Sequence, residues 1–262
     1  MTGLIDKLYK TGELSDDEFL YLIDNRTQQS ADYLALKARE VSQSRFGNKV
    51  FIRGLIEVSS YCQNDCLYCG IRKSNTNAQR YLLDKDTILS CCENGYNLGF
   101  RTFVLQGGEL GGHNDDDIED IIFSIRHKYP DCAITLSLGE KVKEVYQRFF
   151  NAGANRYLLR HETANEEHYA KLHPSDMSLK NRKQCLFDLK EIGYQVGTGF
   201  MVGSPYQTTK NTVEDLLFIK KLEPQMIGIG PFVPHKDTPF KDFSSGTAEL
   251  TTYLLSILRL MF

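Results

Sequence analysis

The sequence predicts an α/β fold built as a parallel (β/α) barrel, and three observations predict it. First, a unit recurs in which a helical stretch ends at glycine and a short strand follows within a few residues. It appears as Asp86 to Leu98, Gly99 and Thr102 to Leu105, then as Lys141 to Ala152, Gly153 and Tyr157 to Leu159, then as Leu179 to Ile192, Gly193 and Gln195 to Thr198. Glycine suits the left-handed position that stops a helix, and repetition of one unit marks alternating strands and helices. Second, a β-rich run from Val50 to Val58 feeds directly into a cysteine-rich loop. That places the loop beyond the carboxyl end of a strand, where parallel sheets bind their ligands. Third, 41% hydrophobic and 25% charged residues in a chain of 262 are enough to bury a large core.

In chain order, residues 1–46 read as a helical extension. Ser15-Asp16-Asp17-Glu18 fits a capping box, and Phe19, Leu22 and Ile23 follow at helical spacing. Residues 47–262 read as the barrel domain. Ala133 to Leu138 and Gln225 to Gly230 add two strands, and Asp115 to Lys128 and Asn211 to Lys221 two helices, for about six βα units. A closed barrel takes eight strands in about 250 residues. The chain instead stops on the apolar stretch Leu254 to Phe262, so the expectation is a six-unit open barrel or, preferably, one truncated at its C-terminus.

A net charge of −3 with acids and bases interspersed offers no field for nucleic acid. Met1 to Lys7 lacks an export pattern, and no stretch reaches the roughly 18 apolar residues of a membrane helix. The expectation is a cytoplasmic protein with neither nucleic-acid nor membrane partners. Seven cysteines in such a chain point to metal or structural roles rather than disulfides. Cys91, Cys92, Cys132 and Cys185 lie in apolar periodic segments and read as small buried hydrophobes.

Cys62, Cys66 and Cys69 are different, because C-x3-C-x2-C places three thiolates within eight residues. An iron–sulfur cluster normally takes four, so three leave one iron open to a ligand that is not protein. Zinc is the rival, since three cysteines and a histidine make a structural zinc set, but the nearest histidine, His113, lies 44 residues beyond Cys69. Tyr68, just before the third cysteine, suits a cluster that needs shielding from water. Met201 and Met226 read as core, and His235 as an exposed loop residue.

Cys62, Cys66, Cys69 and Tyr68 match the C-x3-C-x-aromatic-C motif, and the chain resembles the radical S-adenosylmethionine (SAM) superfamily. Tyr61-Cys62 to Gly70-Ile71-Arg72, Val104 to Glu109, Thr135 to Glu140, Leu159 to Asn165 and Gly228 to His235 narrow the likeness to the biotin-synthase-like group and, within it, to HydE-type [FeFe]-hydrogenase maturases. The resemblance implies a radical SAM (β/α) barrel of the TIM type and a [4Fe-4S] cluster on the three cysteines. SAM would complete the fourth iron, and reductive cleavage would give a 5′-deoxyadenosyl radical. It assigns Gly107, Gly108 and Glu109 to the SAM ammonium, Glu162 to SAM, and Arg182 to the SAM carboxylate, for which a guanidinium fork is well shaped. Ser137 is a further candidate for SAM.

Arg156 and Arg160, four apart, share a strand face and by resemblance hold the substrate; the bland alternative is that one pairs with an acid such as Glu140. A HydE-type enzyme would take a small iron complex as substrate, a one-electron donor such as ferredoxin or flavodoxin, and other hydrogenase maturases as partners. Two alternatives stand beside it. One is a methylornithine-synthase-like or biotin-synthase-like enzyme acting on an amino-acid-type substrate. The other is a truncated, non-catalytic metal-binding protein.

Overall fold

A computed structural model describes residues 1–109 and 112–262. The chain opens with three helices, α1 (Thr2–Thr11), α2 (Asp16–Asp24) and α3 (Gln28–Phe46). The Ser15 hydroxyl accepts from the Glu18 backbone N–H, and the Glu18 carboxylate accepts from Ser15 N–H at 2.8 Å, so the capping box forms. The alternation then begins: β1 (Gly54–Ser59), α4 (Lys85–Asn97), β2 (Thr102–Gly107), α5 (Asp115–Lys128), β3 (Ala133–Ser137), α6 (Lys143–Ala152), β4 (Arg156–Leu158), α7 (Glu166–Leu172), α8 (Leu179–Ile192) and β5 (Gln195–Thr198). It continues with β6 (Met201–Val202), α9 (Thr209–Leu222), β7 (Met226–Ile227), β8 (Gly230–Pro231) and α10 (Ala248–Met261).

Six strands form one parallel sheet in the order β1-β2-β3-β4-β5-β7, and β6 pairs with β8 in a second, two-stranded sheet. This is the βα succession that the glycine-stopped repeats predict. Gly99, Gly153 and Gly193 all have positive φ where a helix ends and a strand follows, a conformation open to glycine at little cost.

The strands differ from the sequence reading in two places. The run Gln225 to Gly230, expected as one strand, is divided between β7 in the main sheet and β8, which begins at Gly230 and pairs with β6. Val50, Phe51 and Ile52 are β-rich but extend beyond β1 and are exposed, Val50 at 86%. A strand needs a partner ladder as well as propensity, and the register with β2 starts at Gly54 and Phe103.

Period-two alternation divides the sheet between two environments. Ile56, Val58, Phe103, Leu105, Ile134, Leu136, Tyr157 and Val196 belong to a core shared with Ile88 of α4, Ile118, Ile121, Ile122 and Ile125 of α5, Phe149 of α6 and Leu186 and Leu189 of α8. The intervening positions, Glu57, Gln106 and Ser137 among them, face a cavity. A second core joins α1, α2 and α3 to α9 and α10 through Phe19, Leu22, Leu34, Leu216, Ile219, Leu254 and Ile257. Cys92, Cys132 and Cys185 are buried as expected, whereas Cys91 is exposed. It sits next to Cys92 on α4, and consecutive helical residues cannot both face the sheet. Met201 is buried. No described helix is long and apolar enough to cross a membrane.

Candidate cysteine-loop site at the carboxyl ends of the strands

A β-bulge between Glu57 and Ser59 shifts the register of β1 just before the chain leaves the sheet. Residues 60–84 follow with no helix and only an isolated bridge, at Leu82. Buried backbone groups in such a segment need partners, and side chains provide them. Arg80 donates from Nη1 to the carbonyls of Ser60 and Ile71 and from Nη2 to those of Arg72, at 2.7 Å, and Asn75. Asp65 accepts from Arg72 Nε and Nη2 at 2.8 and 2.6 Å and from Ser74. These hydrogen bonds, led by those from Arg72, hold the Asp65 carboxyl well below its usual range. Asn75 donates to the Gly70 carbonyl at 2.6 Å.

The other side of the loop rests on α7. Leu67 N–H donates to the Leu172 carbonyl at 3.0 Å, and the Tyr68 hydroxyl meets His173 Nε2 at 3.1 Å. Leu67 and Tyr68 pack against an apolar cluster of Leu172, Met201, Phe232 and Phe240. Met177 Sδ stands 3.7 Å from Cys66 Sγ. His235 is exposed, as expected, and its ring covers Gly70, where a Cβ would come within 2.9 Å of the imidazole.

Cys62, Cys66, Cys69 and Tyr68 meet Gly107, Gly108, Glu109, Ser137, Arg160, Glu162 and Arg182 around one cavity of about 350 Å³. Gly107 ends β2, Ser137 ends β3, Arg160 and Glu162 follow β4, and Arg182 lies in the first turn of α8. The glycines are steric requirements of this convergence. A Cβ on Gly108 would lie 2.0 Å from the Tyr61 carbonyl oxygen and 2.7 Å from Cys62 Cβ. Gly139, at φ +78°, leaves the space that the Glu109 carboxylate occupies. Glu109 Oε2 in turn accepts from Glu140 N–H at 2.8 Å, and Oε1 from Gln63 at 3.3 Å.

Arg182 is buried against Glu140, with Nε 2.7 Å from Oε1. Burial works against its charge, but Glu140 and the surrounding acids outweigh that and raise its pKa, so a fixed cation lies in the cavity wall. Glu162 takes φ +64°, a left-handed conformation rare for a residue with a side chain. It is kept there by its N–H bonding the Gly199 carbonyl and by the fully buried His161, whose Nδ1 meets Thr198 Oγ1 at 2.9 Å. The charges of Arg160 and Glu162 stand 3.2 Å apart. Beyond these ion pairs, Arg160 Nε is buried without a hydrogen-bond partner among the described residues. An unsatisfied buried donor is costly, and this one belongs to a residue that lines the cavity.

Arg156 does not join this set. It opens β4, whereas Arg160 lies beyond that strand's end, and four residues of strand separate them by about 13 Å. Arg156 lines a different cavity with Arg53 and Arg101, donating to Gln195 Oε1 at 2.7 Å. The two arginines therefore line different cavities; Arg160 pairs with the acid Glu162, and Glu140 pairs with Arg182 instead. Arg80, Arg72, Asp65 and His173 went unread in the sequence, where nothing separates a loop arginine that clasps carbonyls from one that is solvated.

Among the described residues, no group of three or more His, Cys, Asp or Glu side chains stands ready to hold a single metal ion. A four-iron cluster gives each thiolate a different iron and so needs its ligands spread more widely. Burial pushes the Cys66 thiol up to about 12, with Cys69 adding to it, and raises Cys69 as well. Metal loading would therefore expel protons from this loop. Three thiols, a glycine-lined cradle and charges of both signs in the cavity wall fit a cluster with a polar, zwitterionic ligand.

Known proteins resemble this chain in sequence and in fold. The sequence pattern of the Radical SAM superfamily matches residues 56–219. The "[FeFe] hydrogenase maturase subunit HydE" of Thermotoga maritima is 44% identical over 224 residues, which cover 86% of this chain and 64% of that protein. The 3-methylornithine synthase of Methanosarcina acetivorans is 27% identical over 259 residues, 98% of this chain and 73% of that one. The crystal structure of methylornithine synthase (PylB) superposes with a TM-score of 0.90 at 26% identity, covering 99% of this chain and 76% of that one. The chain thus spans between 64% and 76% of the length of these relatives.

Two outcomes follow from the geometry. Gly108→Ala, by forcing Tyr61 and Cys62 outward, is expected to reduce iron uptake on anaerobic reconstitution severalfold while circular dichroism stays that of the wild type; undiminished iron uptake would contradict the close approach. Burial also lowers the pKa of His173 from 6.5 to about 4. Between those values the unfolded chain takes up a proton that the folded chain refuses, so stability present above pH 6.5 is lost as pH falls toward 4, by up to about 3 kcal/mol. Denaturant unfolding should show a steeper acid loss for the wild type than for His173→Gln, and parallel curves would contradict this.

Proposed function

This chain belongs to the radical SAM superfamily, and we propose that it is a radical SAM enzyme in which Cys62, Cys66 and Cys69 hold a [4Fe-4S] cluster with one iron left to SAM. The observation that carries the reading is convergence: every candidate residue except Arg156, drawn from the ends of four strands and the start of α8, lines one cavity. When bound, the reduced cluster supplies the electron that cleaves the SAM carbon–sulfur bond.

The residues would divide the remaining work. The Arg182 guanidinium, oriented by the pairing of its Nε with Glu140, would offer its remaining N–H donors to the SAM carboxylate. Gly107 and Gly108 let the backbone come close to the ligand, and Glu109 and Glu162 supply negative charge for its cationic end. Ser137 adds a hydroxyl at the end of β3. Tyr68 and the apolar cluster beneath it exclude water from the cysteine side. Arg160 presents a cation to an anionic substrate in the same cavity, whereas Arg156, in the other cavity, has no part in that role.

The 44% identity to a hydrogenase maturase supports maturation of the [FeFe]-hydrogenase two-iron subcluster. The substrate would be a small iron complex, the electron would come from a ferredoxin or flavodoxin, and other maturases would be partners. The TM-score of 0.90 to methylornithine synthase supports the second reading, radical rearrangement of an amino-acid substrate.

Incubation of reconstituted protein with SAM, reductant and either the iron complex or lysine separates the two: 5′-deoxyadenosine release stimulated by the iron complex is expected, and release stimulated by lysine would replace the first reading with the second. Cys66→Ala should lose cluster and SAM cleavage together, and full cleavage by that variant would overturn the site.

A further inference from the structure

A single turn orients charges of both signs in the cavity wall. Gly139 and Glu140 follow β3, and Glu140 uses two groups at once: its N–H donates to Glu109 Oε2 at 2.8 Å, while its carboxylate Oε1 lies 2.7 Å from Arg182 Nε. Its second oxygen accepts from Asn181. Gly139 makes the first contact possible, since a Cβ there would lie 2.2 Å from Glu109 Oε2. A shift of this turn would therefore displace Glu109 and Arg182 together.

The groups that fix the turn belong to the core rather than to the cavity. The Tyr157 hydroxyl, from β4, donates to the Gly139 carbonyl at 2.8 Å. The Tyr146 hydroxyl, from α6, accepts from Lys141 N–H at 3.0 Å and donates to the same carbonyl at 3.4 Å. Both side chains are fully buried, and their rings meet edge to face with centres 5.0 Å apart. Phenylalanine would fill either space without a polar atom to satisfy, so what tyrosine adds at 157 is the hydrogen bond to the turn. Neither ring lines the cavity, whereas Gly139 does.

We propose that Tyr157 is a positioning residue for SAM: its hydroxyl fixes the Gly139–Glu140 turn and so sets Glu109 and Arg182 at the spacing that the ammonium and carboxylate of the cosubstrate's amino-acid end require. This rests on the SAM-binding reading above, and the test separates the two. In the unloaded protein, amide hydrogen exchange at Glu140 and Lys141, followed by NMR, reports the turn directly in the wild type and in Tyr157→Phe. In reconstituted protein, calorimetric titration gives the affinities for SAM and for methylthioadenosine, which lacks the amino-acid end. The variants are Tyr157→Phe, alone and in the Glu109→Gln and Arg182→Lys backgrounds, and Tyr194→Phe. Tyr194 is the control, because its ring packs in the same aromatic cluster but its hydroxyl donates to the Tyr146 carbonyl at 2.8 Å, within α6 and not to the turn.

The expected results are faster exchange at both amides in Tyr157→Phe, an affinity for SAM about fivefold below the wild type, the scale of one hydrogen bond, and an unchanged affinity for methylthioadenosine. Tyr194→Phe should leave both affinities as they are, and the cost of Tyr157→Phe should shrink in the Glu109→Gln and Arg182→Lys backgrounds, where one of the contacts it acts through is already weakened. Unaltered exchange, equal losses for SAM and methylthioadenosine, an equal loss for SAM in Tyr194→Phe, or an undiminished cost in either background would overturn the proposal. Wild-type protein that takes up a cluster yet binds no SAM would instead overturn the functional reading, and the role of Tyr157 toward SAM with it.

Discussion

A segment without regular secondary structure must hold three thiols around one centre, and the rest of the site depends on how it does so. Arg80 supplies much of the answer, since one guanidinium bonds four carbonyls spread over residues 60–75. Its donors lie in a rigid plane, so the loop is shaped by fixed hydrogen-bond geometry. The Asp65–Arg72 pair adds a second brace within the loop.

The braced loop is seated on the barrel by two different kinds of contact. Against β2 the constraint is steric, because Gly108 admits the Tyr61 carbonyl where no side chain fits. Against α7 it is apolar packing with one directed hydrogen bond. Across the cavity stand two ion pairs, Arg182 with Glu140 and the half-buried Arg160 with Glu162. Buried ion pairs contribute little net stability, so these pairs are better read as lining the cavity than as holding the fold.

The repeated βα unit was legible because it rests on local chemistry. Gly99, Gly153 and Gly193 stop helices wherever they stand, and Leu179–Ile192 and Gln195–Thr198 fall on the residues that the pattern marks. The cysteine loop was legible for the same reason, since its spacing is itself the signal. What escaped depends on partners remote in sequence. Val50 to Ile52 carry strand propensity but have no ladder to join, and α7 is seven residues long, too short for its periodicity to show. Cys91 fails as a buried residue because its neighbour Cys92 takes the inward position. Arg156 and Arg160 were grouped as one strand face, but β4 ends at Leu158 and the two line different cavities. The roles of Arg80 and His173 exist only once the loop has folded onto α7.

The proposed radical SAM chemistry requires the cosubstrate as the fourth ligand of the metal centre. Electron–nuclear double resonance of the reduced, reconstituted protein with SAM labelled with ¹⁷O in its carboxylate tests this most directly. A strong ¹⁷O coupling to the cluster that disappears with unlabelled SAM is expected. A reduced cluster whose spectrum does not respond to SAM, with no ¹⁷O coupling, would contradict it.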